Sequence, residues 1–380
     1  MRSVFTTIFF IGHVLSFAQY ASFKQISSTQ EIDGLIHGYQ FSKALLLLNH
    51  EEDSLSTEVL QRKGYCLFQM GNYRDAIDQY RKVMNVDSMN LHVLYQLGQV
   101  YGRDKQYDEA YACYEKLISM DSSNSFYYKQ YGIVASHAND PIISLANFFR
   151  AITLNPRDIE AHALLGDMLL EADQFQMADS ILTQALKTNS SPQLRLLLAK
   201  AQLGEEKYED VIRTTEQLVV MNDTLPSYAR LLGISYFQLD QFDKVILYMN
   251  HLLKKNLKGD WIYYYLGVSY KQLNKPDSAI IFLNKAIDAG ISENISTYYT
   301  QLANSYEDIK DFKSAIKYYK AAYENSRKDI LLYHLARNYD VYYKDKTTAI
   351  TYFKKYLNSE DTIKLAREYT KVRLKALDVY

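Results

Sequence analysis

The sequence predicts an all-α fold, a solenoid of stacked antiparallel helix pairs, and three observations carry that expectation. Glycine (14) and proline (5) are scarce for 380 residues, which leaves too few turn signals for an all-β chain or a disordered linker. Small residues recur at a near-constant interval: Gly64, Gly98, Gly132, Gly166, Ala199, Gly233 and Gly267 are spaced by 34, 34, 34, 33, 34 and 34. Ala303 and Ala336 continue the series after an insertion of two residues and then a gap of 33. Self-similarity at such a period marks a repeat array, in which each unit is one supersecondary motif.

The residues around the small positions repeat as well. One unit reads Leu94, Leu97-Gly98, Tyr101, then Ala110, Tyr114 and Leu117; another reads Tyr263, Leu266-Gly267, Tyr270, then Ala279, Leu283 and Ala286. Phe148, Ala151 and Pro156 close a third, and Tyr299, Leu302, Ala303, Tyr306, Ala315, Tyr319 and Ala322 make a fourth. This pattern resembles the tetratricopeptide-repeat family, in the form found in exported bacterial proteins. The resemblance covers residues 57–358 as nine repeats and implies a right-handed superhelical solenoid. Two helices of one unit cannot bury their apolar faces until the next unit stacks on them, so stacking creates the core. Gly or Ala at the crossing lets the pair approach closely. Turn signals stand where the pairs need them, at Gly71-Asn72, Asn139-Asp140, Asp173-Gln174, Gly204-Glu205, Asp240-Gln241 and Lys275-Pro276.

Both ends depart from the pattern, as terminal units without a neighbour should. Residues 25–56 form a degenerate first repeat, in which Ala44 and Leu48 fit the second helix while Ile32 stands at the glycine place and Leu35 at the tyrosine place. Residues 359–380 hold a capping helix with Leu365, Tyr369, Val372 and Ala376 on one stripe and an excess of basic residues beside it. That basic excess reads as a solvated face or as a docking face.

Residues 1–18 have the order of a signal peptide: a short basic start at Arg2, a mostly apolar run from Val4 to Phe17, and a small residue at Ala18 after which cleavage is expected. The run is shorter than the ~20 residues of a spanning helix, and His13 interrupts it. The expected location is therefore periplasmic or secreted, without stable membrane insertion. Export permits a disulfide, but Cys66 and Cys113 lie at non-equivalent places of different repeats and are expected to be free and buried.

Forty-three basic and 44 acidic residues balance to a net charge of -1, which gives no electrostatic footprint for nucleic acid. No phosphate loop, nucleophile elbow or metal-ligand spacing is found, so neither catalysis nor a metal nor a cofactor is expected. His137, His162 and His334 are scattered within helical repeats.

Function must then lie on the surface that stacking creates, which in the family this chain resembles is the concave groove lined by the first helix of each pair. Counting along that lining selects Gln61, Tyr65, Tyr95, Gln99, Lys129, Lys200, Arg230, Trp261, Tyr264, Lys271, Asn304, Tyr333 and Arg337. Aromatics and cations favour recognition of a protein or peptide partner, although a repeat rich in core tyrosine puts some of its 35 tyrosines on any surface. The family's carboxylate clamp, a Lys with an Asn one turn later, has no match, since Ile133 follows Lys129 and Thr300 precedes Asn304. An envelope glycan is the alternative partner. A tripeptide of Asp, Ser or Thr, and an apolar residue recurs at Asp53, Asp87, Asp179, Asp223, Asp277 and Asp361. It resembles an O-glycosylation signal of some bacteria, and it also fits helix starts and turns.

Overall fold

The structure is a computed structural model that describes residues 29–51, 55–220, 226–290 and 293–377. The signal-peptide segment and the tripeptides at Asp53 and Asp223 lie outside the described residues. Among the described residues the chain is all α, with twenty-one helices and no strand. None of these helices is long and apolar enough to cross a membrane. The chain divides into two compact units, residues 1–168 and 169–380, with the boundary inside the helix Ile159–Glu171.

In the first unit, residues 29–37 and the helix Phe41–Asn49 form one hairpin. Three more follow: Thr57–Gln69 with Tyr73–Val86, Leu91–Arg103 with Tyr107–Met120, and Ser125–His137 with Pro141–Leu154. The second unit holds Phe175–Leu186 and then five pairs: Pro192–Gly204 with Tyr208–Val220, Pro226–Gln238 with Phe242–Lys254, Asp260–Gln272 with Pro276–Asp288, Ile295–Asp308 with Phe312–Ser326, and Ile330–Tyr342 with Thr347–Leu357. The helix Lys364–Ala376 ends it.

At Gly64, Gly98, Gly132, Gly233 and Gly267 the small residue of the first helix faces a large residue of the second helix sixteen positions later. A Cβ added to Gly64 would stand 2.7 Å from the Tyr80 ring, one on Gly132 would stand 2.8 Å from Phe148, and one on Gly267 would stand 2.6 Å from Leu283. Ile32 takes the glycine place in the first hairpin and is buried with Ala44 and Leu48, so this terminal pair holds a larger residue at that place. The connection inside most pairs closes in one way; the turn from Ile330–Tyr342 to Thr347–Leu357, where Tyr343 is extended, is the exception. In the turn after Leu91–Arg103, Lys105 is left-handed (φ 62°), and the Gln106 N–H donates to the Tyr101 carbonyl at 2.9 Å. Asn139, Asp173, Asp240, Asn274 and Lys310 repeat that conformation. These are Schellman closures, which satisfy carbonyls the helix end leaves open.

Several connections between pairs are capped by side chains. Asn90 Oδ1 accepts from the Val93 N–H at 3.1 Å, and Asp158 Oδ1 accepts from the Ala161 N–H at 3.0 Å. Cys66 and Cys113 are free and buried, and burial pushes both thiols up to about 11.

The C-terminal helix packs differently from the sequence expectation. It buries Ala366, Thr370 and Leu374, whereas Leu365 is 80% and Val372 70% exposed. Its contact face is fixed by an ion pair: Arg373 Nε donates to Asp340 Oδ2 at 2.6 Å, and a second guanidinium nitrogen reaches Oδ1 at 3.1 Å. Thr370 enters the core because its hydroxyl donates to the Ala366 carbonyl at 2.8 Å, leaving no open polar group. Leu365 and Val372 of the apolar stripe read from the sequence therefore face outward, while Tyr369 still meets Tyr333 and Phe353 with its ring.

Candidate functional site

Within the second unit, the first helices Pro192–Gly204, Pro226–Gln238 and Asp260–Gln272 follow one another at the repeat spacing, and they line a cleft of about 470 Å³. Its walls are apolar, with Leu196, Ile234 and Leu257 among them. Lys200, Arg230 and Lys258 stand exposed at its rim. Trp261 is the aromatic wall, and the Arg230 guanidinium lies over its ring, 5.1 Å from the centroid, a distance at which the ring quadrupole attracts the charge. Tyr265 meets the indole edge-on at 6.3 Å. Gly259 sets the indole's place from behind, because a Cβ there would come 2.9 Å from the indole Nε1.

The cleft has an asymmetric charge. No carboxylate occurs among its described lining residues, and Lys200, Arg230 and Lys258 enter no ion pair among the described residues. Three cations that enter no ion pair among the described residues, beside an apolar wall, favour a ligand that carries both negative charge and apolar surface.

Lys200, Arg230 and Trp261 are thus three of the sequence-predicted residues that the fold brings to one place. Tyr264, on the same helix as Trp261, packs instead on Tyr298 at 5.0 Å, and burial raises its phenol above the ordinary value. Lys271 pairs loosely with Asp308 at 3.7 Å. Asn304 Oδ1 and Glu307 Oε2 both lie within hydrogen-bond reach of the Tyr319 hydroxyl, whose single hydrogen they share. Tyr333 is wedged among Tyr356, Tyr369 and His334, with Arg337 over its ring at 5.6 Å.

In the first unit, Tyr65 meets Phe41 edge-on at 6.1 Å and Tyr95 packs on Phe126 at 5.1 Å, while Gln61 and Gln99 are half-buried. Lys129 does not stand free as a groove cation: it is 8% exposed, 2.7 Å from Glu160 Oε2 and 2.9 Å from Asp158 Oδ2. Burial opposes its charge, but the hydrogen bonds it donates to Glu160 and Asp158 outweigh that and hold the ammonium above its ordinary value. Since Asp158 also caps the next helix, Lys129 serves as a staple between repeats.

Sequence counting missed Leu257 and Lys258, which lie in the turn after Phe242–Lys254, where no periodicity points to them. The one signal there is Gly259 followed two residues later by the only tryptophan.

A tetratricopeptide-repeat family model matches residues 57–88, 91–124, 262–289 and 296–329. Each of the four segments takes in the two helices of one pair, and the chain is a tetratricopeptide-repeat protein. Repeats of this kind build protein-interaction scaffolds. No curated protein matches the chain. Among solved structures, a tetratricopeptide repeat protein from Parabacteroides merdae is similar at 17% identity over 66% of this chain and 98% of that one, with a TM-score of 0.44. The C-terminal part of a repeat-containing protein from Cytophaga hutchinsonii is similar at 14% identity over 68% and 94%, with a TM-score of 0.46. The pilF protein of Pseudomonas aeruginosa is similar at 18% identity over 53% and 93%, with a TM-score of 0.42.

Proposed function

We propose that the protein is an exported, non-catalytic scaffold that holds a segment of a partner protein against the first helices of its repeats, in the cleft of the second unit. The observation that carries this is the convergence of Lys200, Arg230 and Trp261 on one apolar cleft with no carboxylate among its described lining residues. Export rests on the basic start and apolar run of residues 1–18. A glycan partner has weaker support, because the best-aligned rings, Tyr236 on Tyr248, Tyr270 on Phe282 and Tyr306 on Tyr318, each 8° from parallel, stack on one another rather than standing open to a sugar.

Affinity capture from the native host, with wild type beside a Trp261→Ala/Tyr264→Ala variant whose helicity is checked by circular dichroism, tests the reading. Capture of a recurrent protein by wild type that the folded variant loses supports it. Retention of cell-envelope sugar by wild type alone, with no protein, contradicts it.

A further inference from the structure

Resting on that reading, we infer that the cleft selects an acidic, apolar segment: a peptide stretch in which at least two carboxylates flank a large aliphatic or aromatic side chain. The apolar surface follows from the wall. Leu257 is 42% exposed, and Leu196, Ile234 and Trp261 stand beside it, so water there is replaced at a gain by a hydrocarbon side chain.

The charge follows from the rim. Lys200, Arg230 and Lys258 come from two successive first helices and the turn that leads into a third, so the positive charge is spread along the cleft rather than gathered at one point. A simple amphiphile with one carboxylate would answer one of them and leave two. A segment with several carboxylates answers all three while its apolar residue fills the space between. Arg230 is held by the Trp261 face, which fixes the direction of its donors before any ligand arrives and lowers the ordering cost of binding. The opposite rule, that a basic segment would dock here, fails on like-charge repulsion.

The test is selection of a random dodecamer display library on the purified full chain, followed by fluorescence anisotropy of the enriched peptides. Three proteins are compared: wild type, a Lys200→Glu/Arg230→Glu/Lys258→Glu variant, and Trp261→Ala, each with circular dichroism to show that the helices remain. The three cations are exposed, so their reversal leaves the core untouched. The expected result is enrichment of Asp and Glu around Leu, Ile or Phe, and a loss of at least about 100-fold in affinity on charge reversal, with weaker binding as salt rises. Enriched peptides without acidic residues, or an affinity that ignores the reversal, overturn the inference and leave the scaffold reading in place. No enriched peptide, with dodecanoate bound instead, assigns the cleft to a singly charged amphiphile and removes both. No enrichment and no dodecanoate binding also removes both.

Discussion

A methyl group on Gly267 would meet Leu283 at 2.6 Å from its Cγ and 3.1 Å from its backbone nitrogen, so no side-chain rotation relieves the contact. Gly267→Ala is therefore expected to cost about 1–3 kcal/mol, the scale of overpacking in a core. Gly34 also lies in a helix, but a Cβ added there would meet nothing within 4 Å, and Gly34→Ala should stabilise by about 0.5–1 kcal/mol. Urea denaturation of the two variants checks this; equal shifts would show that the crossing glycines do not set the pairs. The left-handed turn residues give a second prediction at this scale. Lys105 and Lys310 hold φ of 62° and 61°, a conformation that disfavours any side chain, so Lys310→Gly should raise stability by about 0.5–1 kcal/mol. These two turns were not legible in the sequence, because lysine carries no turn signal and the Schellman hydrogen bonds alone impose the geometry. At Gly71, Asn139, Asp173 and Asp240 the residue type did announce it. Glu206 and Asn274 carry the left-handed conformation a residue or two from the expected Gly204-Glu205 and Lys275-Pro276.

The C-terminal helix shows what an element-scale reading can and cannot find. Its apolar stripe was plain in the sequence, but periodicity does not say which face a neighbour covers. The buried Asp340, 5% exposed at its side chain, turns the helix so that Arg373 and Leu374 face inward. Leu374→Ala should thus cost about 2–5 kcal/mol, while Val372→Ser on the exposed face should stay within about 0.5 kcal/mol. Burial by itself would raise the Asp340 carboxyl, yet the hydrogen bonds and charge of Arg373, with Lys346 beside it, hold it below its ordinary value. A depressed carboxyl contributes stability that is fully present above the unfolded value, about 3.9, and is lost as pH falls through the lower folded value. Hydrogen exchange of amides 366–374 should accordingly stay protected from neutral pH down to about pH 4 and open below it. Asp340→Asn should weaken that protection at neutral pH by about 2 kcal/mol; unchanged protection in this variant would show that packing alone holds the helix.

At the scale of the whole molecule, the repeat period made the fold legible because the small residue and its large partner sixteen places on answer one geometric need in most of the repeats. The site was legible only in part. Counting along the first helices found Lys200, Arg230 and Trp261, but it also chose Lys129, whose charge is spent on Asp158 and Glu160 of the neighbouring helix, and it passed over Lys258 in an aperiodic turn. Such partners depend on contacts between units, which no position within a single repeat encodes. The central claim is that a partner protein lies in the cleft. Photocrosslinking in the native host tests it most directly, with benzoylphenylalanine placed at Ile234 in the cleft wall and, as a control, at Ile281 on an exposed second-helix position. The account predicts one recurrent protein adduct from position 234, absent from 281 and lost with Arg230→Glu. Adducts from both positions alike, or from 281 only, would contradict it.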